Sequence, residues 1–321
     1  MKHLGLKILL VLGLFLVIDQ MGGLLLDTLR DHSPDGRYHK AKYTLEHCDE
    51  DVVVIGSSRA EINYVSQIIE DSLRMSCWNA GRGGQGMPYF RAVQEGILAR
   101  YSPKVVILNI DDNDLEGAMA YEHAGFLRPF YSTHPEIRPV LDKTSKFEWL
   151  LLKSRLYAYN SSFYYLIRPY LVPGLDGKAE DKGWKPRPGT MDYDPGKKLE
   201  SEPAKTPLNP EAVAAFDYMV NKFLEKDCQV FFVVSPNYGR SIGSSSAIEY
   251  LKKTSEKTGI PVFVYSADTS YITHPELYVD PEHLNIDGAQ KFTRELVQQI
   301  KPYIQSSKQH SSNDEKVYKG Y

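Results

Sequence analysis

Four short stretches of the chain carry residues whose types and spacing suit nucleophilic chemistry. In "DVVVIGSSRAE" (51–61) an apolar run reaches Gly56 and is followed at once by Ser57, Ser58 and Arg59. Serine is a weak nucleophile alone and needs a general base to take its proton. In "YVDPEHLNIDGAQ" Asp280 precedes His283 by three residues, close enough to bend back and hold the imidazole N–H. Such a carboxylate fixes the tautomer and steadies the imidazolium that forms when serine attacks. "WNAGRGGQG" and "LNIDDNDL" lie between them. Gly81 offers a backbone N–H and Asn113 a side-chain amide, both donors that suit a developing oxyanion. Each stretch has a plainer reading: a polar turn, a loop needing positive φ, or an Asx turn.

The elements that must hold these residues are readable from hydrophobic pattern. Val52–Ile55, Met75–Asn79 and "KVVILNI" (104–110) are short, β-branched or apolar runs of buried-strand length. Helical spacing follows the first, through Ile62, Val65, Ile69 and Leu73, and covers 88–100 through Phe90, Val93, Ile97 and Leu98. Alternation resumes with a helix over 211–226, a strand over 229–235, a helix over 246–257, a strand over 261–265 and a last helix over 286–304. Five apolar strands alternating with helices predict a parallel sheet covered on both faces, an α/β protein with a three-layer α/β/α sandwich. Its active site is expected at the carboxyl ends of the strands, where all four stretches fall.

In order and content these four stretches resemble the SGNH (GDSL-like) hydrolase superfamily, in the form found in membrane-anchored, cell-envelope members. "GSSR" takes the serine block, "NAGRGG" the glycine block, "DDND" the asparagine block and "DPEHLN" the aspartate–histidine block. The resemblance spans about residues 50–305 and implies a flavodoxin-like sheet. It implies Ser58 as nucleophile, His283 as base, Asp280 as its orienting partner, and the Ser58 and Gly81 N–H groups with the Asn113 amide as oxyanion donors. Ser57 then shapes the turn. Asp111 stands where the family usually has glycine, and Ser57 where it often has aspartate. Implied activities are a serine esterase acting on O-acyl, chiefly O-acetyl, esters of carbohydrate or on small esters, with no cofactor or metal. An O-acyltransferase working with a membrane-bound acyl donor protein, and an inactive envelope binding protein, are the alternatives. His274 lacks an upstream carboxylate and is read as a loop residue.

Composition bounds the partners. Of 321 residues, 42% are hydrophobic and 25% charged, and the net charge of −3 comes without a basic stripe, so nucleic acid is not an expected partner. Residues 1–26 begin with Lys2 and Lys7, then run unbroken and apolar from Ile8 to Ile18. Counting from Leu4 to Leu26 gives 23 residues, and no A-x-A site follows. A signal anchor is expected, with a cleaved signal and a buried helix as the other readings; the lysines place the N-terminus inside and the domain outside the cytoplasm, periplasmic or on the cell surface. Residues 27–50 read as a linker, 51–305 as the domain, 116–210 as an aromatic and loop-rich insertion, and 306–321 as a disordered tail. Aromatics in the insertion suit either sugar stacking or helix packing. Among Cys48, Cys77 and Cys228, a Cys48–Cys77 disulfide and buried free thiols are equally open.

Overall fold

A computed structural model of the chain describes residues 2–160, 162–191, 205–238 and 244–318. Its centre is an all-parallel sheet of β1 (Val52–Ile55), β2 (Cys77–Asn79), β3 (Val105–Asn109), β4 (Gln229–Val234) and β5 (Val262–Val264), in the order β2-β1-β3-β4-β5. That is the flavodoxin-like order, with β1 and β3 flanking the point where the chain reverses its direction across the sheet. Register is set by pairs such as Val54 with Ile107 and Ile107 with Phe231.

Period-two alternation divides the strand residues between two core layers. Val53, Ile55, Val106 and Leu108 join Phe90, Val93, Phe216 and Met219 from the helices Met87–Leu98 and Pro210–Glu225. Val52, Val54, Val105 and Ile107 join Ile69, Phe292, Leu296 and Ile300 from the helices Ser66–Leu73 and Ile286–Tyr318. The result is the α/β/α sandwich that the strand pattern predicts.

One expectation is corrected and one open alternative is decided. Residues 27–50 are not a linker. The N-terminal helix, Lys2–Asp31, runs into them, and Gly36–Lys42 and Tyr43–His47 follow as helices with Tyr38, Ala41, Leu45 and Cys48 in the core. Those four residues repeat at helical spacing, and burying them is what orders the segment. Cys48 and Cys77 do not bridge. All three cysteines are free and buried. Cys48 belongs to one core layer and Cys77 to the other, so the sheet separates them. The last helix runs from Ile286 to Tyr318.

In the insertion, Phe126, Phe130, Tyr159 and Leu166 are buried in the main core. Packing thus accounts for part of its aromatic content. The part at 192–204 lies outside the described residues. The N-terminal helix is long and apolar enough to cross a membrane, and its apolar side chains from Leu4 to Ile18 are exposed.

Candidate active site

β1 delivers the two serines. At Gly56 the backbone φ is +159°, and a Cβ there would stand 2.7 Å from the Asn109 carbonyl oxygen, so glycine lets β1 and β3 end side by side. Ser57 is the extended N-cap of the helix Ser58–Asn63, and Ser58 is its first residue. The Ser57 hydroxyl donates to Asp111 Oδ2 at 2.8 Å. Ser58 Oγ lies 2.8 Å from His283 Nε2. The two serines therefore have different partners.

His283 is presented by a hairpin of β6 (Tyr278–Asp280) and β7 (His283–Leu284), in which Asp280 and His283 are paired. Asp280 Oδ1 and Oδ2 lie 2.8 and 3.0 Å from His283 Nδ1. Oδ1 also accepts the backbone N–H groups of Glu282 and His283, each at 3.0 Å, which fixes the carboxylate against its own turn. A proton held on Nδ1 leaves Nε2 free to accept from Ser58. The hairpin is tied to the serine helix where Leu284 N–H donates to Asn63 Oδ1 at 3.1 Å. His274 stands apart, half-exposed and bonded to Glu276.

A cavity of about 510 Å³ opens beside Ser58, lined by Gly84, Asn113, Met119, His123 and Glu282 among others. It lies over the ends of β1 and β3, the reversal point of the sheet. Asn113 is exposed on the short helix Asp112–Glu116 and faces this space.

Gly81 does not face it. Gly81 is buried, and its N–H donates to Asn79 Oδ1 at 3.0 Å. A Cβ at Gly81 would meet Ala60 Cβ at 2.6 Å and Glu61 N at 2.7 Å. Its glycine is required for close packing against the serine helix, not for presenting a donor. Gly84, three residues on, has φ +72°, lines the cavity, and among the described residues its N–H has no hydrogen-bond partner. The double glycine at 83–84 was the available signal for it.

Behind the glycine turn lies a buried charged cluster that the sequence reading did not include. The Lys40 ammonium donates to the carbonyls of Gly81 and Gly183 and lies 3.5 Å from Glu61 Oε1. Burial pushes the Lys40 pKa down to about 8, with Glu61 opposing the shift. For Glu61, burial pushes upward, but Lys40 and Lys185 outweigh it and hold the carboxyl below its ordinary value. Glu61 Oε2 accepts the Gly83 N–H at 2.9 Å. Both sides of the turn are thus fixed by one ion pair.

Asp111 organises the opposite wall. Its carboxylate receives Ser57, Arg59 Nε at 3.0 Å and Asn109 Nδ2 at 3.1 Å, and Tyr64 in turn donates to Asn109 Oδ1. Asp111 thus carries a network that shapes the serine turn. Neighbouring Asp114 is buried and accepts the Asp111 N–H at 2.8 Å. Burial, then the Asp111 charge, pushes its pKa well above the ordinary carboxyl range. Among the described residues no group of three or more His, Cys, Asp and Glu is arranged to hold a metal ion.

No family model matches the chain, and no curated protein matches it. Chemical reading of the site therefore rests on its own geometry.

Proposed function

We propose that the chain is an extracytoplasmic, membrane-anchored serine esterase of the SGNH type, cleaving O-acyl esters through an acyl-Ser58 intermediate. The observation that carries this reading is the continuous relay from Ser58 Oγ through the His283 ring to the Asp280 carboxylate, at 2.8 Å on both sides of the ring. The N-terminal apolar helix supports the anchor.

In this mechanism Ser58 Oγ attacks the acyl carbonyl as its proton passes to His283 Nε2. Asp280 stabilises the imidazolium. The tetrahedral oxyanion is received by donors at the mouth of the serine turn: the Ser58 N–H, unsatisfied within its own helix by position, the Gly84 N–H and the Asn113 amide. Each such donor contributes about 10²–10³ in rate. His283 then protonates the leaving alcohol, and water releases the acyl group by the same steps in reverse roles. A cavity of about 510 Å³ suits a short acyl ester on a sugar-sized alcohol. The test is turnover of a chromogenic acetyl ester: Ser58→Ala abolishes it and Ser57→Ala only reduces it. Equal loss from both, or loss from Ser57→Ala alone, rejects the assignment.

A further inference from the structure

The unbroken apolar run of the N-terminal helix, Ile8–Ile18, is too short for a bilayer. At about 1.5 Å per residue it spans ~16 Å, against a hydrocarbon core of about 30 Å. The helix reaches that thickness only if the span runs from Leu4 to Leu25, ~33 Å. Met21, Leu24 and Leu25 are 64%, 47% and 61% exposed, so the helix keeps an apolar face over this extension. Such a span takes in Lys7 within a turn of its end, from where a long side chain snorkels out, and carries Asp19 below the surface of the hydrocarbon, where a bare carboxylate is costly.

The domain itself covers that carboxylate. Asp19 accepts the Ser154 hydroxyl and the backbone N–H groups of Arg155 and Leu156. A Cβ at Gly22 would touch the Leu156 side chain at 3.0 Å and one at Gly23 would overlap Arg155, so the two segments are in close contact there. Residues 154–156 therefore lie at the depth of Asp19–Gly23, below Leu24. Trp149 lines a cavity with Gln20 and Ser154, and Phe163 one with Gly22 and Leu25; with Phe147, Leu150 and Leu151, from the same short helix turn as Trp149, they are all 40% exposed or more. The acidic residue among them, Glu148, is turned inward and fully buried against Arg128. An apolar groove of about 550 Å³ opens at the same level, between Leu25 of the helix and Phe163.

We propose that Phe147, Trp149, Leu150, Leu151 and Phe163 form a collar that enters the lipid bilayer alongside the N-terminal helix, so that the domain rests on the membrane instead of swinging from a tether. This rests on the membrane-anchor reading above. A patch of this size on a water-facing surface would be an aggregation liability. In lipid it flanks the part of the span, residues 19–25, that the helix needs in order to reach bilayer thickness.

The test uses the full chain in phosphatidylcholine vesicles, first by flotation, then by quenching of tryptophan emission with a nitroxide at acyl carbon 5. Trp149 is 54% exposed, whereas Trp78 is 3% exposed and Trp184 bonds to the Ile62 carbonyl inside the domain. The expected result is flotation, quenching of part of the emission, and loss of that quenchable part in Trp149→Phe. A chain that floats but shows equal quenching in wild type and Trp149→Phe overturns the collar and leaves the anchor standing. Failure to float overturns the anchor. Shielding of Trp149 in native membranes but not in pure lipid assigns the surface to a protein partner and also overturns the proposal.

Discussion

Ser58 Oγ and His283 Nε2 are 2.8 Å apart although 225 positions separate them in the chain. The contact joins the start of the helix that follows the first strand to a hairpin just before the last helix. Nothing local in either segment requires it, and in the proposed mechanism loss of either partner removes the same step.

Ser58→Ala and His283→Ala are therefore expected to lower turnover of an acetyl ester to the same residual level, and the double variant to lie no lower, because members of a catalytic unit are not additive. Asp280→Asn costs less, on the order of 10²–10⁴ in kcat. Its oxygen still accepts the Glu282 and His283 N–H groups, but its amide faces Nδ1. Steady-state kinetics of the four variants check the ranking.

Asn113→Ala should lower kcat about 10²–10³-fold with little change in Tm, because the residue is exposed and in the proposed mechanism its amide acts only on the oxyanion. Gly81→Ala should do the opposite, costing about 1–3 kcal/mol of stability through its overlap with Ala60. Denaturant unfolding and kinetics together separate the two roles; a Gly81→Ala protein of normal stability that lacks activity would return Gly81 to the oxyanion site.

Lys40→Met is expected to cost about 3–5 kcal/mol, because it leaves Glu61 charged and buried without its nearest cation. The accompanying loss of activity comes from release of the Gly81–Gly84 turn. Lys40→Met with Glu61→Gln should recover part of the stability, read by urea unfolding.

Asp114→Asn gives a pH-dependent result. The Asp114 pKa is raised in the folded chain, so above the ordinary Asp value of about 3.9 the unfolded state loses its proton first. Between that pH and the folded value the native state binds more protons, and stability falls as pH rises. Asparagine has no such proton to lose and still accepts the Asp111 N–H. The variant should be more stable than wild type at pH 7, and the two should converge below about pH 3.9. A difference independent of pH would contradict this account of Asp114.

Strands were legible because Val52–Ile55 and Val105–Asn109 are apolar runs that suit only burial on both faces. The Asp280–His283 pair was legible because its spacing is local. Gly81 and Gly84 could not be told apart: a glycine demanded by close packing and one facing a cavity look alike in a turn that holds several. Residues 27–50 read as a linker because Tyr38, Ala41, Leu45 and Cys48 are diluted by charged neighbours, and Lys40 reads as solvated until Gly81 and Gly183 are placed around it. Asp111 was visible only as a departure from a pattern; its function needed Ser57, Arg59 and Asn109 in space.

The most direct measurement is covalent labelling of the chain by a fluorophosphonate probe, with the modified peptide mapped by mass spectrometry. The account predicts one adduct, on Ser58, absent from Ser58→Ala and strongly reduced in His283→Ala. An adduct on Ser57, or no adduct under conditions that label other serine esterases, would contradict it.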